Sequence, residues 1–361
     1  MKHSIWFALL AIITLSCNKQ PTCSDGILNG SEIKIDCGGS CDVCPSCFDG
    51  IQNQDEVAID CGGVCTACPA QWEEISLGTS NRLKDIAFFE DGLTGLIIGE
   101  NGSLHRTTDA GDSWTKINQS SENLNSIYIQ HGIAYISGRS LILIGRNKGA
   151  SWQQKSAPNN NWNDLWFFDE QNGVMVGDSL WAIRTVNGGD TWISELRDFF
   201  DPTPLGSVSF LSDQGGSAGA ESRLFITSNG GKSWNMASTN ADSIGGMGPI
   251  SNVVMVNANR TILAADRGMF VSTNNLIWLN KGYEAKAGKL DFRESDWLYA
   301  CANRAGDRGL IYYSSDGGVS WERENLPFDA PAQNAVAFID DNRAISVGNN
   351  GSAYLRIKEV P

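Results

Sequence analysis

Seven tryptophans stand at near-equal steps through most of this 361-residue chain. Trp72, Trp114, Trp152, Trp192, Trp234, Trp278 and Trp321 are separated by 42, 38, 40, 42, 44 and 43 residues. A fixed period near 40 means that one supersecondary unit recurs and that each copy buries its apolar face against the next. Between the tryptophans the apolar runs are short, as at 86–89, 165–168, 253–256 and 335–338. Further runs, Gly95–Gly99 and Gly173–Gly177, follow after an acidic turn. No stretch keeps a helical period. Short strands between Gly, Asn and Asp turns at this spacing predict four-stranded blades.

A phrase precedes the tryptophans. It reads Thr107-Thr-Asp109-Ala-Gly111-Asp-Ser-Trp114, then Thr185-Val-Asn187-Gly-Gly189-Asp-Thr-Trp192, Thr227-Ser-Asn229-Gly-Gly231-Lys-Ser-Trp234 and Ser314-Ser-Asp316-Gly-Gly318-Val-Ser-Trp321. Two worn copies place Asn147 before Trp152 and Asn274 before Trp278. In a tight hairpin the Ser/Thr and Asp/Asn side chains accept backbone N–H bonds. The glycine takes positive φ at low cost, and the tryptophan fills the space between blades. The phrase resembles the Asp-box, so the structural Asp-box residues are Asp109, Trp114, Asn147, Trp152, Asn187, Trp192, Asn229, Trp234, Asn274, Trp278, Asp316 and Trp321. The expected fold is all-β: a seven-bladed β-propeller over 71–361, with the Trp72 strand joining the strands after Trp321 to close one blade.

The blade phrase is clearest at Gly99-Glu-Asn-Gly102-Ser-Leu-His-Arg-Thr107. With its period, it makes the region similar to the photosystem II stability/assembly factor family. That resemblance implies a propeller that binds a membrane protein during assembly and is not an enzyme. Asp-box propellers also include sialidases and endoglucanases, so a glycan-binding glycoside hydrolase is the alternative. Sialidases carry an Arg-Ile-Pro type motif that this chain lacks. The endoglucanases form a cleft between two propellers, whereas one is expected here.

The first 17 residues read as an address. Lys2 precedes an apolar run over 5–15, too short to span a bilayer, and Thr14-Leu15-Ser16-Cys17 resembles a lipobox. Cys17 is therefore the expected lipidation site, on an outer-membrane lipoprotein facing either side. Residues 18–70 hold two copies of Cys-x13-Cys-x3-Cys-x2-Cys: Cys23, Cys37, Cys41 and Cys44, then Cys47, Cys61, Cys65 and Cys68. A Cys₄ zinc site is one use of such thiols. Export to an oxidising compartment and a unit too small for a core favour two disulfides in each copy, with three pairings open. Neither Cys-x-x-Cys lies in a βαβ pattern that would suggest redox chemistry. The segment resembles the Asp-Cys-Gly-Gly repeats of exported bacterial proteins, which act as stalks. Asp25, Asp36, Asp49 and Asp60 are weak calcium candidates that serve equally well as turn formers. No cofactor is otherwise expected. Cys301 is expected to be a small buried apolar side chain.

The net charge of −14 argues against nucleic acid or anionic lipid as the main partner, leaving the membrane to the lipid anchor alone. Within that acidic chain, Arg139, Arg267, Arg304 and Arg308 fall in second-to-third-strand loops. Arg197 falls in the longest blade-to-blade connection, 195–207, with Phe199 and Phe200, and Trp162 stands in the neighbouring one. Arginines beside exposed aromatics have the composition of an interaction hot spot. The resemblance adds the expectation of an arginine-rich patch that holds a client. These residues form the expected binding site of a monomer, and the expected partner is an envelope or surface protein or an anionic glycan.

Overall fold

The computed structural model describes residues 71–198, 201–237, 246–272, 278–280, 286–293, 296–304 and 308–357, together with Gly26, Leu28 and Ile35. The chain divides into two compact units, Met1–Pro69 with Pro361, and Ala70–Val360. In the first, Leu28 and Ile35 are exposed. Cys17, the eight cysteines of the repeats and the four calcium candidates lie outside the described residues, as do Asn274, Phe199 and Phe200.

The second unit is all β. Strand β1 (Gln71–Glu74) comes first. β2 (Leu83–Phe88), β3 (Gly95–Gly99), β4 (Leu104–Thr107) and β5 (Thr115–Lys116) then form one antiparallel sheet. Next come β6 (Leu124–Gln130), β7 (Ile133–Arg146), β8 (Ser151–Phe167), β9 (Gly173–Gly177), β10 (Trp181–Thr185) and β11 (Ile193–Leu196). The third sheet is β12 (Leu205–Phe210), β13 (Gly216–Ala220), β14 (Arg223–Thr227) and β15 (Asn235–Met236). The fourth is β16 (Ile250–Asn257), β17 (Arg260–Ala265), β18 (Gly268–Ser272) and β19 (Leu279–Asn280). The fifth is β20 (Lys286–Arg293), β21 (Trp297–Arg304), β22 (Arg308–Ser314) and β23 (Glu322–Glu324). The last strands are β24 (Gln333–Phe338), β25 (Arg343–Gly348) and β26 (Ala353–Ile357).

The expectation of seven separate four-stranded blades is corrected here: the strands pair into six sheets, five of four strands and one of six. The six-stranded sheet, β6 to β11, unites the repeats of Trp152 and Trp192. β7 pairs β6 through 133–138 and β8 through 139–146. β8 pairs β7 through 151–156 and, after an extended 157–161, pairs β9 through 162–167. These repeats end the two shortest Trp steps, so the connection has no slack for a loop. Side chains also hold it: the Trp162 indole N–H donates to Pro158 O at 3.0 Å, and Ser140 Oγ bonds Asn159 Oδ1 at 3.0 Å.

Closure runs through β1, as the sequence leads one to expect. Trp72 is opposite Arg356 in an antiparallel β1–β26 pair, giving the order β1-β26-β25-β24. Trp72 is buried, and its Nε1–H donates to Glu324 Oε2 at 2.9 Å. Glu324 also takes a forked bond from Arg356, which is itself buried. Neighbouring sheets face each other through layers of aliphatic and aromatic side chains, such as Leu83, Ile97, Ile345 and Val347 between the β2 sheet and the β24 sheet.

The Asp-box works as its chemistry predicts. Thr107 Oγ1 accepts from Gly111 N at 3.0 Å, and Asp109 Oδ1 accepts from Ser113 N at 2.9 Å. The Trp114 indole N–H closes the hairpin on Gly111 O at 3.0 Å. Asn187, Asn229 and Asp316 repeat the bond to the residue four positions on. At the other end of the sheet the turn Glu100–Gly102 presses on the next connection. A Cβ on Gly102 would lie 1.8 Å from Ser120 O and would need φ near +66°, so only glycine fits.

Candidate functional site

Five inner strands open with a large side chain, skip a residue at a bulge and then set a short polar side chain toward the axis, while β20 opens with Ala287 and places the long Lys289 there. Asp85, Ser126, Asp164, Ser207, Asn252 and Lys289 occupy that position. They link each inner strand to the next. Asp85 Oδ2 accepts from Ile127 N at 2.8 Å, and Ser126 Oγ donates to Asp164 Oδ1. Asp164 Oδ2 accepts from Val208 N at 2.9 Å, Ser207 Oγ from Val253 N at 3.2 Å, and Asn252 Oδ1 from Leu290 N at 3.1 Å. Asp291 Oδ2 takes Phe338 N at 2.8 Å, and Asn334 Nδ2 donates to Leu83 O at 2.7 Å, which completes the ring. Lys289 reaches across the axis. Its ammonium pairs with Asp85, donates to Ser126 Oγ at 2.7 Å and stands 4.0 Å from Asp164. Burial pushes the Asp85 carboxyl above its ordinary range even against the pull of Lys289.

Above this crosspiece a cavity of about 290 Å³ opens where the inner strands begin. Its charged lining is Arg82, Lys84, Lys286 and Lys289, joined by the amides of Asn125, Asn161, Asn163, Asn303 and Asn334, and it contains no carboxylate. Arg82 donates to Asn334 Oδ1 at 3.0 Å and Lys84 to Asn125 Oδ1 at 2.8 Å. Burial lowers the Lys84 pKa, which marks an ammonium short of solvation. A ring of cations and amide N–H groups around a recess is suited to a carboxylate or another anionic group.

The residues singled out from sequence are partly gathered at this end. The pairs Gly138–Leu124, Ala265–Ile250 and Asn303–Lys286 bring the loops bearing Arg139, Arg267 and Arg308 to the end where the inner strands start. Arg139, Arg267 and Arg308 are exposed. Arg304 ends β21 opposite Arg308. Arg197 lies over Trp181, its guanidinium carbon 3.6 Å from the ring centroid. Trp162 is a correction. It opens the inner part of β8 at the position that Leu83 holds in β2, is fully buried, and packs on Trp181 at 5.2 Å. It therefore cannot meet a partner. Sequence reasoning missed Phe328, which is 81% exposed with Arg308 set 4.3 Å from its ring centroid. Its signal was an aromatic in Pro327-Phe328-Asp329, a blade-to-blade connection like that of Phe199. The ring was also missed, although a polar residue before an apolar one recurs at Asp85, Ser126, Asp164, Ser207 and Asn252 with steps of 41, 38, 43 and 45.

Cys301 is free and fully buried, and burial pushes its thiol pKa far up, so it packs as an apolar group. Among the described residues no group of three or more His, Cys, Asp or Glu side chains is placed to hold a metal ion.

Comparison with known proteins bears on the family and the fold. The sequence model of the family described as photosynthesis system II assembly factor YCF48 matches residues 65–160 and 149–278. The photosystem II assembly lipoprotein Ycf48 of Synechococcus sp. (strain CC9902) is 24% identical over 295 residues, covering 78% of this chain and 75% of its own. The chloroplastic photosystem II stability/assembly factor HCF136 of Arabidopsis thaliana is 23% identical over 322 residues, 78% of each chain. A solved structure described as YCF48 bound to D1 peptide superposes with a TM-score of 0.64 at 19% identity, over 80% of this chain and 97% of that one. That likeness establishes the propeller fold.

Proposed function

This chain belongs to the photosynthesis system II assembly factor YCF48 family, and we propose that it is a non-enzymatic assembly scaffold, held at the cell envelope by a lipid on Cys17, that grips an acidic segment of a client protein. The observation that carries the reading is the recess at the start of the inner strands, in a chain of net charge −14, whose wall holds four cations and five amides and no carboxylate. Lys286 and Lys289 are paired outside that wall with Asp266 and Asp85, which leaves Arg82 and Lys84 as its cations held only by amides. Arg139, Arg267 and Arg308 extend positive charge outward at the same end, and Phe328 on Arg308 adds an apolar anchor with its cation already in place. A protein segment is favoured over a glycan because one relative's solved complex holds a peptide.

The test is capture from the native envelope. The intact lipoprotein should co-purify with a membrane-associated protein. The combined change Arg197→Ala, Arg304→Ala and Arg308→Ala should abolish that capture, and so should Arg82→Ala with Lys84→Ala. The melting temperature should stay close to that of the wild type in both. Undiminished capture by both variants would place the client elsewhere. Capture of carbohydrate alone would replace the scaffold reading with a glycan-binding one.

A further inference from the structure

Below Lys289 the axis widens into a second cavity of about 420 Å³. Its walls are set by the residues two positions after the polar ring, at one level on each inner strand. Tyr128 follows Ser126, Trp166 follows Asp164, and Asp291 follows Lys289. Tyr128 and Trp166 lie against each other with centroids 4.6 Å apart, on adjoining inner strands. Asp291 stands on β20, well separated from them around the ring. Phe88, Phe292 and Phe338 continue the aromatic lining downward into a third cavity of about 350 Å³, whose charged lining is Glu90, Asp91, Asp291, Asp340 and the single cation Arg293.

Two features of this chamber need a complement. Its lining holds three carboxylates, Asp85, Asp164 and Asp291, against the one ammonium of Lys289. Asp85 and Asp164 share that ammonium, whereas Asp291 is paired with no Lys or Arg among the described residues and takes only backbone N–H groups. The lining it shares also carries the rings of Tyr128, Trp166 and Phe292 among aliphatic side chains, and aromatic faces attract cations through their quadrupoles and offer an anion nothing. A carboxylate in no salt bridge among the described residues, sharing a recess of this size with aromatic rings, matches the chemistry of an ammonium site.

We propose that the lower axial chamber is a binding site for a small organic ammonium ion, with the cation held between the Asp291 carboxylate and the faces of Tyr128 and Trp166. The ligand enters from the end bearing Glu90, away from the basic recess. Lys289 and its two aspartates close the chamber above, so this site and the client-binding face are chemically separate. Burial pushes the Asp291 carboxyl up to about 6, against the pull of the Phe338 N–H and of Arg293.

The test is calorimetric titration of the full chain with choline and with 3,3-dimethyl-1-butanol, its uncharged carbon isostere. Choline should saturate one site, and the isostere should bind about tenfold more weakly or worse. Asp291→Asn keeps the shape and an acceptor for Phe338 N, and it should weaken choline by about tenfold while leaving the isostere unchanged. Trp166→Leu should weaken choline as well. The wild-type comparison needs no variant to fold. Absence of choline binding would overturn the proposal, as would equal binding of the two probes or an Asp291→Asn protein that binds choline as the wild type does. Client capture should be unaffected by Asp291→Asn, so failure here is distinguishable from failure of the scaffold reading.

Discussion

A single carboxyl shows how position decides chemistry in this chain. Asp109 sits on an exposed hairpin, where the Ser113 hydroxyl, the Thr107 hydroxyl and the Ser113 N–H all favour its charged form and hold its pKa down to about 2. Asp291 sits on the axis, where burial outweighs the Phe338 N–H, and the carboxyl is pushed up to about 6. The charges facing Asp291 are Asp85, which adds to the rise, and Arg293, which opposes it. The consequence for stability has a definite sign. An aspartate of ordinary pKa in the unfolded chain, about 3.9, binds fewer protons than this one does in the fold between pH 4 and pH 6. Folding is therefore favoured at the acid end of that window and loses stability as pH rises through about 6. Asp291→Asn removes the ionisation. It should raise the unfolding free energy at pH 7, by an amount on the order of 1–3 kcal/mol and with a higher denaturant midpoint, and the gain should vanish near pH 4. Denaturant titrations at the two pH values check this, and a gain that is the same at both would contradict the assignment.

At the scale of the element, β1 depends on its neighbours more than on its own sequence. Four residues cannot form an independent strand, yet Gln71–Glu74 is anchored by a buried indole, its bond to Glu324 and the Glu324–Arg356 fork. Glu324→Ala should strand the Arg356 guanidinium, which is 7% exposed, without its counter-ion. Breaking such a pair typically costs about 3–5 kcal/mol. Trp72→Ala should cost a similar amount, about 3–5 kcal/mol, through lost burial. Urea unfolding of the two single variants and the double variant provides the measurement. Because both act on one network, the double variant should cost less than the sum. Full additivity would mean that the strand closes without that network.

For the whole molecule, the ring of side-chain-to-backbone bonds turns a row of sheets into a closed body around an axis. Lys289 joins residues 204 apart in sequence when it meets Asp85. Two cavities of opposite character result, one basic and one acidic and aromatic, separated by that ion pair. The N-terminal segment carries separate expectations. Palmitate labelling should be lost on Cys17→Ala. Mass mapping without reduction should find the eight cysteines from Cys23 to Cys68 paired within their own repeats. Free thiols with bound zinc would reverse the disulfide expectation.

The repeating tryptophans, the Asp-box hairpins and the closing role of Trp72 were determined by sequence alone, because each is a local pattern whose residue types admit few backbone conformations. Cys301 as a buried apolar group was legible for the same reason. The number of sheets was decided by tertiary structure. Whether residues 157–161 looped out or stayed extended depended on bonds to Ser140 and Asp178 that no local pattern encodes. The fate of Trp162 was likewise a matter of register, since a shift of one place would have turned the same ring outward. The site was the least legible part. Asp85, Asp164, Lys289 and Asp291 look like ordinary surface charges in sequence, and only closure of the ring brings them to one axis, where each lines the same chamber.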